Sequence, residues 1–147
     1  MALAKSAISS EKKIAFAFGC ETTSDIRLHY FAASEYTINK KTGGIFKVDN
    51  SVGDKVEIMI CDVQSYLIAM RYMLAFNSET EIVTYWDEPT ISMDYQEHPL
   101  HEMIQQIWAE NTISKMVLSC ATLPHHDDIG TSLNSFQIKF PEASVET

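Results

Sequence analysis

Trp86-Asp87-Glu88-Pro89-Thr90 places two adjacent carboxylates directly after an apolar run, Ile82-Val83-Thr84-Tyr85-Trp86. Acids in that position can divide a hydrolytic task between them. One can hold a hard cation such as Mg²⁺, usually through water, while the cation bridges phosphate oxygens. Its neighbour can polarise the attacking water as a general base. Asp87 suits the first role and Glu88 the second. A plainer reading stands beside this one, because acids before proline are common in surface turns. The next apolar run carries a second candidate segment, Val117-Leu118-Ser119-Cys120-Ala121-Thr122-Leu123-Pro124, which ends in small side chains and proline.

Other reactive side chains are less specific. His98 and His101 stand three apart, which can put both on one helix face, and His125-His126-Asp127-Asp128 follows Pro124. Metal ligation needs these groups to converge, and spacing alone does not provide that. Asp62 ends an apolar run and could face the cleft of Asp87, although capping the helix that follows is the simpler role. Cys20, Cys61 and Cys120 each sit in or beside apolar residues and form no Cys-x-x-Cys pair. They read as reduced core thiols of a cytosolic protein.

The elements that would position Asp87 and Glu88 follow from hydrophobic periodicity. Ile14 to Phe18, Lys55 to Asp62, Glu81 to Trp86 and Lys115 to Ala121 are apolar runs of strand length. Ile26, Tyr30 and Ala33 predict a helix between Ser24 and Tyr36. Residues 37–55 predict loop or a short strand at Ile45–Val48. Val63, Tyr66, Leu67, Met70, Met73 and Leu74 predict a second helix. Leu100, Met103, Ile104, Ile107 and Trp108 predict a third, strongly amphipathic one. Met1 to Ser9 resembles the tail of a helix. Strands alternating with helices imply an α/β fold with a parallel sheet and flanking helices. In such sheets ligands bind beyond the carboxyl ends of the strands, where Asp87 and Glu88 would stand.

With 147 residues, 46% hydrophobic and 21% charged, the chain has the composition of one globular domain. Residues 1–140 are expected to form it, with 141–147 a polar tail. No apolar run reaches the ~20 residues needed to cross a bilayer, and Met1 to Ile8 lacks the basic start of a signal peptide. No membrane partner is expected, and the location expected is intracellular, cytoplasmic or nuclear. The net charge of −9 opposes strong nucleic-acid binding by this chain alone, since such binding rests on Lys and Arg neutralising phosphates.

Asp87-Glu88-Pro89-Thr90 resembles motif II of the DEAD-like superfamily 2 helicases, and Ser119-Cys120-Ala121-Thr122-Leu123-Pro124 resembles their motif III. Their order, the helix between them and their strand placement resemble the first RecA-like domain of that superfamily, a P-loop NTPase-type fold. The resemblance implies ATP as the nucleotide, Mg²⁺ held by Asp87, water activated by Glu88, and coupling to nucleic-acid strand separation through Cys120, Ala121 and Thr122. Cys120 replaces the usual serine, and a thiol is the weaker hydrogen-bond donor. No Gly-x-x-x-x-Gly-Lys-[Ser/Thr] loop occurs, so the backbone cradle and the lysine that grip the β- and γ-phosphates are missing. The expectation is therefore a partial helicase-like core that begins just past its phosphate loop and stops before a second RecA-like domain, weakly active or inactive alone. Two alternatives stand with it. One is a non-catalytic interaction module that binds a protein partner. The other is an ABC-type ATPase fragment, which Asp87-Glu88-Pro89-Thr90 followed by Asp94 also resembles. That family's Ser-Gly-Gly signature and switch histidine are absent.

Overall fold

The computed structural model describes residues 12–29, 36–38, 45–48, 56–90, 92, 95–122, 124–125 and 127–146. The helix expected over 1–9, the glycines at 43 and 44, Asp94, Leu123 and His126 lie outside them. The fold is a small mixed α/β arrangement with short sheets and three α-helices among the described residues. The chain divides into two compact units, Met1–Asn77 and Ser78–Thr147.

In the N-terminal unit, β1 (Ile14–Ala17) is the centre of a three-stranded sheet. It pairs antiparallel with β2 (Arg27–Leu28) on one side. A separate antiparallel hairpin joins β3 (Tyr36–Ile38) to β4 (Ile45–Val48), so the strand expected at 45–48 forms. On its other side β1 pairs parallel with β5 (Ile58–Cys61), in register from Ile14↔Ile58 to Ala17↔Cys61. Helix α1 (Tyr66–Leu74) comes next and buries Ala69, Met70 and Met73. The core holds Ile14, Ala15, Ala17, Ile26, Leu28 and Val56 as well, all buried. Cys20 is buried with them, and burial pushes the Cys61 thiol up to about 11, helped by the neighbouring Asp62 charge.

The helix expected between Ser24 and Tyr36 is corrected over residues 24–29, and Tyr30 and Ala33 lie outside the described residues. Thr22 and Asp25 form a reciprocal capping box, as at a helix start, but only a single 3₁₀ turn, Thr23–Asp25, comes after it. At Ile26 the backbone becomes extended, with ψ of 131°. Ile26 and Leu28 are then buried with Arg27 exposed between them. That alternation has the strand period of two, and the β1 edge gave it a ladder to join.

In the C-terminal unit, β6 (Thr84–Asp87) and β7 (Met116–Ser119) pair in parallel, from Thr84↔Met116 to Asp87↔Ser119. Helix α2 (Leu100–Glu110) forms the crossover, as its periodicity predicts, and buries Ile107. It stops at Asn111, whose N–H donates to the Ile107 carbonyl. The buried Asn111 amide also exchanges two hydrogen bonds with the backbone of Ile113, at 2.8 and 3.1 Å. These bonds satisfy a polar group that would be costly to bury unpaired. Helix α3 (Gly130–Lys139) is the last element, and Lys139 Nζ caps the carbonyls of Trp108 and Ala109 at the end of α2. No described helix is long and apolar enough to cross a membrane.

Candidate functional site

The acids stand at the carboxyl end of β6, where a two-residue period puts successive side chains on opposite faces. Trp86 turns toward the helices while Tyr85 and Asp87 are exposed. The Asp87 carboxylate has no hydrogen-bond partner among the described residues, which leaves a hard anion open to a cation bound through water. Glu88 is held differently. Its backbone is left-handed, with φ of 53°, a conformation an L-residue adopts at a cost. Two bonds oppose that cost: its N–H donates to the Ser119 carbonyl at 2.7 Å, and Oε1 accepts the Ala121 N–H at 3.2 Å.

Glu88 therefore ties the end of β6 to the segment after β7. Of the residues singled out from the sequence, Glu88, Ser119 and Ala121 come together directly, and the Asp87 backbone lies opposite Ser119 in the ladder. The Cys120 thiol donates to the Thr122 carbonyl at 3.1 Å, closing a tight turn at the same level. Thr122 itself is exposed. Oε2 of Glu88 has no partner among the described residues, so a carboxylate oxygen able to accept a proton from water faces solvent.

The described histidines are held by other contacts. Among the described residues no group of three or more His, Cys, Asp or Glu side chains is placed to hold an ion. The His98 and His101 rings meet at a tilt of 46°, with centroids 5.9 Å apart. His98 Nδ1 accepts the Leu100 N–H, and His101 Nε2 meets the buried Ser92 carbonyl at 2.9 Å. Since a carbonyl can only accept, that nitrogen carries the proton. His125 Nδ1 lies 3.4 Å from Asp127 Oδ2, both on the surface. Asp62, weighed as a second cleft acid, has both oxygens occupied. Oδ2 accepts the Gly19 N–H at 2.9 Å and Oδ1 accepts the Ser65 N–H at 2.8 Å, at the turn into α1.

A cavity of about 410 Å³ lies within the C-terminal unit, between the inner face of β6 and β7 and helices α2 and α3. Trp86, Leu118, Ile104, Trp108 and Leu133 make its apolar wall, while Thr90, His101, Gln105 and Ser132 also line it. Sequence reasoning missed this feature because it missed α3. The signal was present as Ile129, Leu133, Phe136 and Phe140, at i, i+4, i+7 and i+11. Gly130, Thr131, Ser132, Asn134 and Ser135 between them are weak helix formers and masked it. Compared with known proteins, the chain matches no family model, no curated protein and no solved structure.

Proposed function

We propose that the C-terminal unit carries half of a nucleotide-hydrolase site of the DEAD-like helicase type, in which Asp87 holds Mg²⁺ through water and Glu88 activates the attacking water. The observation that carries this reading is the Glu88 clamp. Its N–H and Oε1 bind Ser119 and Ala121, so the two segments that resemble motifs II and III meet at the ends of adjacent parallel strands. In that arrangement a movement of the Ser119–Thr122 turn is felt at the Glu88 carboxylate, as coupling of ATP hydrolysis to nucleic-acid strand separation would require. Grip on the β- and γ-phosphates must come from elsewhere, because the chain has no Gly-x-x-x-x-Gly-Lys segment.

Slow Mg²⁺-dependent ATP turnover is expected from the wild type, with a loss of at least about 100-fold in Glu88→Gln, the scale of a removed general base. Equal turnover by both forms would remove Glu88 from the chemistry. A second reading, a non-catalytic module that binds a protein partner, draws on a specific observation. Tyr85 and Val117 face each other across the ladder and are 62% and 47% exposed, with Val83 beside them at 58%. Titration with a fluorescent ATP analogue separates the two readings: no binding at millimolar concentration with Mg²⁺ present favours the module.

A further inference from the structure

The cavity of the C-terminal unit has the make-up of a small-molecule site, and its walls are held in place. Its volume of about 410 Å³ falls within the ~300–1,000 Å³ typical of such sites. Trp86 and Trp108 lie nearly parallel, 28° apart with centroids separated by 6.2 Å. Phe136 packs edge-on against Trp108 at 5.9 Å and is backed by Phe140 at 4.8 Å, so the indole is braced from behind. Helix α2 contributes His101, Ile104, Gln105 and Trp108, at i, i+3, i+4 and i+7, which is one helix face.

That face is graded along its length. Ile104 and Trp108 continue the apolar wall of Trp86, Leu118 and Leu133. His101 and Gln105 give it a polar end. The bond from Nε2 to the Ser92 carbonyl fixes the His101 tautomer, so in the neutral ring Nδ1 is a hydrogen-bond acceptor. Gln105 supplies a donor and an acceptor, and Ser132 a hydroxyl. The amide of Gln105 and the hydroxyl of Ser132 have no partner among the described residues.

We infer that this cavity binds a flat aromatic ring system bearing hydrogen-bonding groups along one edge. The ring packs against the indole wall and its polar edge meets Gln105 and His101. A nucleobase and a free phenolic or heteroaromatic metabolite share this chemistry. The inference stands apart from the roles of Asp87 and Glu88, since neither side chain lines the cavity.

The chain contains only two tryptophans, and both line the cavity. Their two indole N–H resonances are therefore a built-in probe. The wild-type chain would be titrated separately with adenosine and with 2-naphthol, with Ser132→Phe and Gln105→Ala as variants. Both substituted positions are exposed, so the fold should survive, and unchanged backbone amide spectra would verify it. Saturable shifts of both indole resonances are expected, with Kd below about 1 mM. Ser132→Phe should raise Kd at least about tenfold by filling the mouth, and Gln105→Ala about threefold to tenfold by removing a polar contact. Binding of adenosine assigns the site to a nucleobase; binding of 2-naphthol alone assigns it to a free aromatic metabolite. No saturable shift with either probe, or equal shifts in wild type and Ser132→Phe, overturns the inference. ATP turnover plays no part in this readout, so failure of the hydrolase reading would leave the result interpretable.

Discussion

The N-terminal and C-terminal units each contain a parallel strand pair with an acid at its carboxyl end, and they hold those acids in opposite ways. Asp62 follows β5 and is absorbed into the backbone, with both oxygens accepting N–H groups from Gly19 and Ser65. Asp87 ends β6 with its carboxylate exposed. The strands differ in the same sense. In β1, three of four residues are buried, whereas β6 alternates between partly buried and exposed. A strand-end acid is thus structural where a loop folds back onto it, as the Gly19 turn does with its left-handed φ of 60°. It is chemically available where the chain leads away through a proline. That distinction separates two residues that a linear motif search would rank alike.

The largest effect that tests this contrast lies in the cores. Ile14 is fully buried at the centre of the N-terminal sheet, so Ile14→Ala should cost about 3 kcal/mol, transfer and cavity together. Tyr85→Ala, on the exposed face of β6, should stay within about 0.5 kcal/mol. Urea midpoints by circular dichroism measure both. Comparable losses would show that the face of Tyr85 is more deeply packed than its 62% exposure implies.

The acids themselves give the next effect. Asp62→Ala removes the acceptor for two N–H groups and should cost about 2 kcal/mol, while Asp87→Ala should stay within about 0.5 kcal/mol. The two should differ with pH as well. Burial pushes the Asp62 carboxyl up, but hydrogen bonds from the Ser65 hydroxyl and from the Gly19 and Ser65 N–H groups outweigh it, leaving the group below its ordinary 3.8. A depressed folded value means that the stabilisation is complete above 3.8 and is lost as pH falls through the folded value. Asp62→Asn should therefore flatten the acid limb of the stability curve below about pH 4. Asp25 and Glu57, also depressed by hydrogen bonds in the same unit, would retain their share of that limb. An unchanged limb in Asp62→Asn would mean that the two N–H contacts do not hold in solution.

Much of this arrangement is legible in the sequence. The apolar runs at Ile14, Ile58, Thr84 and Met116 form strands, and the amphipathic spacing from Leu100 to Trp108 forms α2. Those signals are strong because long amphipathic patterns leave few competing folds. The segment from Ser24 departs from its helical spacing because a capping box marks one turn of helix and does not fix the turns beyond it; the long-range pairing of Arg27 with Phe16 decides those. Asn111 and the cavity are invisible in the sequence for a related reason. Each depends on partners that the linear chain does not place side by side. The meeting of Glu88 with Ala121 depends on a left-handed backbone that carries no sequence mark, since glycine or asparagine would be the usual choice there.

Glu88 is where the contrast between the units can be sharpened most finely, because its backbone cost and its side-chain bond oppose each other. Glycine at this position would relieve the positive φ of 53°, a gain of about 1 kcal/mol. It would also delete the bond from Oε1 to the Ala121 N–H, a loss of about 1 kcal/mol, since that bond is exposed. Glu88→Gly should therefore leave stability within about 0.5 kcal/mol of wild type while freeing the Ala121 amide, read as faster hydrogen exchange at that one position. Glu88→Gln keeps both the backbone strain and an amide oxygen in the acceptor position, so stability and Ala121 exchange should both be unchanged. Glu88→Ala keeps the strain and loses the bond, and it should be the least stable of the three by about 1 kcal/mol. Glycine clearly below wild type and Glu88→Gln, yet above Glu88→Ala, would show that the side-chain bond outweighs the strain, and that Glu88, like Asp62, is first a structural tie.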